Sequence, residues 1–153
     1  MADREIICNF AVDLRLIKKL TTDDRMDKIE IKGYKSIQDM ELTLKPLNLL
    51  IGANGSGKTN FLSFFEFLRN IYMQNLRGYV AERGVEKILH RGPKVTEEIS
   101  SKLSFGKNKY SFTIKSTEAG FVFTKEGLWY SGNPYVSNPM EISSMSYESN
   151  LRH

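Results

Sequence analysis

Hydrophobic and polar residues alternate from Lys28 onward. Ile29, Ile31 and then Tyr34 take turns with Glu30 and Lys32, the pattern of a strand buried on one face. Gly33 to Ser36 reads as a bend, after which Met40, Leu42 and Leu44 alternate with Glu41 and Thr43 in a second strand. Pro46 closes that strand because it has no N–H to donate to a ladder. Leu47 to Ile51, L-N-L-L-I, is nearly all apolar, which predicts a central strand covered on both faces.

The period then changes. Phe61, Leu62, Phe65, Leu68, Ile71 and Tyr72 recur at helical spacing, and Phe64 with Phe67 widens the apolar face. A helix of several turns, packed between other elements and ended by Gly78, is expected. A shorter helix is expected over Val80 to Leu89, stopped by His90-Arg91-Gly92-Pro93. Ile99, Leu103 and Phe105, then Tyr110, Phe112 and Ile114, flank the turn residues Gly106 to Lys109 as a hairpin. Phe121 to Phe123 and Leu128 to Tyr130 flank Lys125-Glu126-Gly127 as a second hairpin.

The two ends differ from this middle. In residues 1–25, Leu14, Ile17 and Leu20 have helical spacing before the polar break Thr21-Thr22-Asp23-Asp24, and Met26 resembles a domain start. They read as an N-terminal extension or as a short helix on the domain edge. Past Gly132 the residues turn to Ser, Asn, Pro and Met without a period. Residues 133–153 read as an irregular, truncated tail, leaving residues 26–132 as the domain proper.

Between the expected central strand and the aromatic helix lies Gly52-Ala53-Asn54-Gly55-Ser56-Gly57-Lys58-Thr59, a complete match to G-x-x-x-x-G-K-[ST]. Glycines at 52, 55 and 57 admit backbone conformations closed to residues with a Cβ and let the chain approach a phosphate closely. Successive N–H groups from Asn54 to Thr59 can then converge on phosphate oxygens, helped by the positive end of the following helix. Lys58 is placed for the β- and γ-phosphates and the Thr59 hydroxyl for Mg2+. The expected ligand is ATP with magnesium, held by residues 52–59.

Composition narrows the setting without changing that reading. A chain of 153 residues with 41% hydrophobic and 26% charged residues supports one globular domain. Its net charge of +4 is spread along the chain rather than gathered in a basic tail, so it suits a phosphate ligand without specifying nucleic acid. The one cysteine, Cys8, excludes an internal disulfide framework and points to a reducing compartment. No apolar run reaches the roughly 20 residues that span a bilayer, and no signal peptide is present, so a cytoplasmic location and no membrane partner are expected.

Other candidate residues carry weaker chemistry. Lys35 and Ser36 sit at the bend between the first two strands, where they fold back over a nucleotide or simply make an exposed turn. His90 and Arg91 stand near a helix end, where a positive group complements the dipole. Trp129 alternates with strand neighbours and is expected in the core.

The stretch from Met26 to Leu68 resembles the N-terminal end of ABC-type ATPases, in particular the SMC and RecF branch and bacterial AAA-family ATPases. Gly33-Tyr34-Lys35-Ser36-Ile37, the strand pair before the loop, and Asn54-Gly55-Ser56-Gly57-Lys58-Thr59-Asn60 carry that resemblance. More loosely, Gly84 to Tyr130, with Ile88-Leu89-His90-Arg91-Gly92, is similar as well. The resemblance implies an α/β fold: the N-terminal lobe of a P-loop NTPase with a mixed sheet, the P-loop helix and an antiparallel β subdomain, incomplete as it stands. It also implies that Asn54 and Asn60 belong to the extended loop, auxiliary phosphate contacts from Lys35 and Ser36, and roles in DNA repair or phage defence, with nucleic acid met through the full assembly.

Hydrolysis in such ATPases needs an Asp-Glu pair closing an apolar strand, a signature motif from a second subunit, and a switch histidine. The acidic pairs here are Asp23-Asp24 and Glu97-Glu98, neither after an apolar strand, and Ser131-Gly132-Asn133-Pro134 is a poor signature. No catalytic residue is therefore assigned, and a second ATPase subunit or a missing C-terminal half is the expected partner. The competing readings are a non-catalytic remnant acting as an interaction module, and a P-loop kinase or GTPase. Two strands before the loop, and Asn108-Lys109-Tyr110-Ser111 in place of a guanine motif, speak against the last.

Overall fold

A computed structural model of the chain describes residues 26–106, 108–130, 140–143 and 145–151. The expected N-terminal helix, Cys8 and Ser131 to Pro134 lie outside these residues. The alternating segments form strands β1 (Lys28–Tyr34) and β2 (Ile37–Thr43). The aromatic segment forms helix α1 (Lys58–Tyr72), followed by α2 (Leu76–Arg83) and the single turn α3 (Val85–Ile88). Strands β3 (Glu98–Phe105), β4 (Asn108–Thr117), β5 (Gly120–Tyr130) and β6 (Met140–Ser143) complete a six-stranded sheet in the order β2-β1-β3-β4-β5-β6. Every described pairing is antiparallel.

Strand alternation sorts this sheet into an apolar face and a charged one. Ile29, Ile31, Ile99, Leu103, Phe112 and Ile114 are all at most 2% exposed. Register brings them together, with Ile29 opposite Leu103 and Ile99 opposite Ile114. The aromatic face of α1 packs in the same core: Phe67 is fully buried and its ring lies 5.3 Å from Tyr34, 5.9 Å from Phe64 and 6.5 Å from Phe112. Replacing so enclosed a ring with alanine costs about 3–5 kcal/mol. Lys28, Glu30, Lys32, Asp39, Glu41 and Lys102, which alternate with the core residues, join in surface ion pairs such as Lys28–Glu41 at 2.8 Å and Lys32–Asp39 at 2.9 Å.

Four expectations are corrected. Leu47 to Ile51 forms no strand: Leu47, Leu49 and Ile51 are 78%, 77% and 83% exposed. A run of this kind is buried only when neighbouring strands take its N–H and C=O groups, and no described strand pairs with it. Gly78 does not end the first helix. The break falls at Met73–Asn75, where Gln74 takes a left-handed φ of 55° and Asn75 starts α2. Gly78 lies inside α2, where a Cβ would come within 2.4 Å of Asn75 Oδ1. The helix expected over 80–89 is likewise interrupted, at Gly84 with φ 81°.

The hairpin expected at Lys125-Glu126-Gly127 is instead the middle of β5. The chain reverses at Glu118–Ala119, and a bulge at Thr124 shifts the register between Thr113 and Ile114. Glu126 is 1% exposed, and its carboxyl oxygens accept from Tyr110 Oη at 2.7 Å, from Ser149 Oγ and from Asn150 N at 3.0 Å. The last of those partners belong to the segment expected to be irregular. Met140–Ser143 pairs with β5, and residues 145–151 are bound to the sheet and to α2, so this part of the tail is a structural strap.

Candidate functional site

The loop between Ile51 and α1 is exposed, and its backbone requires glycine where the motif has it. Gly55 and Gly57 have φ of 84° and 92°, in the left-handed region that costs little only without a Cβ. A Cβ on Gly52 would lie 2.7 Å from Ser56 Oγ. Ser56 N–H donates to Ala53 O at 3.2 Å, which curls the loop on itself. The Lys58 ammonium folds over that curl, donating to Gly52 O, to Ala53 O at 2.8 Å and to Ser56 Oγ at 3.1 Å.

Helix α1 begins in this loop with no side-chain cap hydrogen bond and no acidic residue in its first turn. No carboxylate of its own therefore occupies its leading N–H groups and the positive end of its dipole, a position suited to an anion. A glycine-lined curl, an ammonium and a free helix N-terminus together suit a polyphosphate. Thr59 is exposed at the first turn. Among the described residues no cluster of His, Cys, Asp or Glu offers a separate metal site.

Lys35 and Ser36, for which the sequence left a fold-back over a nucleotide and an exposed turn both open, lie against α1. Ser36 Oγ accepts from Asn60 Nδ2 at 2.8 Å and stands 3.2 Å from where a Cβ on Gly57 would be. Lys35 Nζ donates to Ser63 Oγ at 2.8 Å, and Tyr34 Oη lies 3.0 Å from Ser63 O. Burial holds the Lys35 ammonium below the usual lysine range, Arg83 pushes the same way, and Glu66 partly opposes them. Burial likewise raises the Tyr34 phenol, which stays neutral across ordinary pH.

Ser63 was not singled out by sequence reasoning. The signal was there: one hydroxyl within the aromatic stretch Phe61, Leu62, Phe64 and Phe65. His90 was expected to complement a helix dipole, but its Nδ1 instead lies 2.7 Å from Lys35 O. Arg91 is exposed with a left-handed φ of 57°. Trp129 is half-buried rather than core: it sits opposite Lys109, whose Nζ stands 4.1 Å from its ring centre.

The family model for the AAA ATPase domain matches residues 25–134. The chain belongs to that family. The match spans the loop, α1 to α3 and the sheet through β5, so this AAA ATPase domain has the α/β fold of a P-loop NTPase N-terminal lobe. It is also similar to an OLD nuclease of Thermus scotoductus (strain ATCC 700910 / SA-01), 26% identical over 131 residues. That alignment takes in 78% of this chain and 24% of the nuclease, so the ATPase domain spans about a quarter of the relative's length. A solved chain from work on ATP-driven dimerization and DNA-stimulated activation of SMC ATPases aligns with a TM-score of 0.46 and 17% identity, covering 68% of each chain. No helix among the described residues is long and apolar enough to cross a membrane.

Proposed function

We propose that this chain is the ATP-binding lobe of an SMC/RecF-like ATPase and binds Mg-ATP through residues 52–60. The observation that carries the reading is the glycine-shaped curl at the uncapped start of α1, with Lys58 folded across it. In the bound state Lys58 exchanges the Gly52 and Ala53 carbonyls for β- and γ-phosphate oxygens, and the N–H groups of Asn54 to Thr59 ligate the rest. Magnesium, held by Thr59 and the phosphates, supplies charge neutralisation there. Lys35 and Ser36 serve as auxiliary contacts at the side of the loop.

Turnover requires groups that this lobe does not show. Its acidic pair Glu97-Glu98 lies at the start of β3, and Glu97 is paired with Lys115 at 2.8 Å, which holds its carboxyl below the ordinary range. The exposed run Leu47 to Ile51 favours completion by another segment or subunit, because a contiguous apolar run left in water beside the loop is a surface that a partner would cover. The OLD nuclease relative supports a role in which the whole assembly meets nucleic acid, in DNA repair or phage defence, and the reducing cytoplasm is the setting.

Titration of the chain with a fluorescent ATP analogue, with and without Mg2+, tests this reading. The expected result is binding that Lys58→Ala weakens at least tenfold, with steady-state hydrolysis near background. Wild-type binding no tighter than that of Lys58→Ala removes the nucleotide reading; robust turnover by the chain alone removes the need for a completing partner.

A further inference from the structure

Lys35 is a non-glycine residue held at φ 47° in a two-residue turn, with Tyr34 paired to Ile37 across it. Such a backbone persists in a residue with a Cβ only where its surroundings over-determine it. Those surroundings are the residues that follow α3. Lys35 N–H donates to Ile88 O at 2.9 Å, Tyr34 forms an antiparallel bridge with Leu89, and His90 N–H donates to Gly33 O at 2.9 Å. The remaining group of the strained residue, its carbonyl, accepts from the His90 imidazole at 2.7 Å. The next peptide carries Ser36, whose hydroxyl accepts from Asn60 and stands 3.2 Å from where a Cβ on Gly57, the residue just before α1, would be.

We propose that His90 is a positioning residue for the nucleotide loop. By donating from Nδ1 to Lys35 O it keeps the left-handed turn closed, and the turn in turn seats Ser36 against Asn60 and Gly57. Both the Nδ1–H neutral tautomer and the imidazolium make this donation. The segment after α3 thus reaches the loop without touching nucleotide, and its state is transmitted through one carbonyl and one hydroxyl. The effect on ligand affinity rests on the nucleotide reading above; the geometric link does not.

The test uses the full chain with four changes: His90→Leu, His90→Asn, Ser36→Ala, and His90→Leu combined with Ser36→Ala. The amide nitrogen of asparagine occupies the place of Nδ1 and keeps the donation. Affinity for the fluorescent ATP analogue is expected to fall roughly tenfold in His90→Leu, the scale of one lost hydrogen bond that leaves its acceptor unpaired, and to stay within about threefold of wild type in His90→Asn. On the Ser36→Ala background His90→Leu should add little, a non-additivity that a general loss of stability would not produce. Unchanged affinity in His90→Leu, or full additivity with Ser36→Ala, overturns the proposal.

Nucleotide-free 15N spectra separate this proposal from the function itself. The Asn60 side-chain amide should shift in His90→Leu and keep its position in His90→Asn, whether or not the wild type binds ATP. An Asn60 signal unmoved in His90→Leu overturns the link even if nucleotide binds. Should His90→Leu fail to fold, His90→Gln, whose amide nitrogen tracks Nε2 rather than Nδ1, takes its place with the same two expectations.

Discussion

Glu148 caps Leu76: one oxygen of its carboxylate accepts from Leu76 N–H at 2.9 Å, and the other accepts from Arg77 N–H at 3.0 Å. Helix α2 starts at Asn75, whose own side chain makes no cap hydrogen bond, so its orphan donors are satisfied by a residue far along the chain. A negative group there also meets the positive end of the helix dipole.

Glu148→Ala is therefore expected to cost about 1–2 kcal/mol of unfolding free energy, in the range of lost N-caps. Glu148→Gln should cost less, because one of its two oxygens survives as an acceptor. Urea unfolding of the full chain checks both, and a Glu148→Ala midpoint equal to that of wild type would show that this cap carries no stability.

Gly33 and Gly55 should separate folding from binding. Both have positive φ, 75° and 84°. A Cβ on Gly33 would stand 2.3 Å from the backbone oxygen of Glu98, whereas one on Gly55 meets nothing within 4 Å. Gly33→Ala should lower stability by more than ~2 kcal/mol, since strain and a backbone clash add. Gly55→Ala should cost about 1 kcal/mol in the free chain and show its larger effect on nucleotide affinity. Thermal melts without nucleotide, set beside ATP-analogue titrations, distinguish the two.

Much of this arrangement was legible in the residues, and the misses share a cause. The alternation at Ile29 and Ile31, the aromatic stripe of α1 and the glycine loop are local patterns, and each appears where its period puts it. Leu47 to Ile51 reads as a buried strand because periodicity reports what a segment wants to bury, not whether a neighbour is there. Lys125-Glu126-Gly127 reads as a turn because its polar residues are turn formers, while the donors that satisfy buried Glu126 lie on Tyr110, Ser149 and Asn150. Ser63, His90 and Glu148 act through partners 28 to 72 positions away, where no local spacing carries the information.

Three buried phenols are expected to couple the fold's stability to alkaline pH. Burial pushes the Tyr110 hydroxyl well above the ordinary tyrosine value of 10.0, with Glu126 beside it adding to the effect, and burial also raises Tyr34 and Tyr79. A folded-state pKa above the unfolded one means that the unfolded chain releases these protons first, so stability is fully present below about pH 10 and falls as pH rises beyond it. Urea midpoints measured from pH 8 to 11 should be level and then drop. Tyr110→Phe should start lower, because Glu126 loses a donor, yet fall less steeply across the same interval.

The run Leu47 to Ile51 offers the sharpest test of where the loop's missing support comes from. Leu47, Leu49 and Ile51 are each more than three-quarters exposed and belong to no described strand. Replacing Leu49 and Ile51 together by threonine should leave the urea midpoint of the chain within about 0.5 kcal/mol of wild type, as for surface positions in general. Losing exposed apolar surface should also reduce self-association, measured by sedimentation velocity across a range of concentrations. A strongly destabilised double variant would mean that the run is already packed within this chain. Unchanged stability with reduced association would place the cover for Leu49 and Ile51 in another segment or subunit, so the exposed apolar run that leads into the loop before Lys58 would be the surface on which the ATPase is completed.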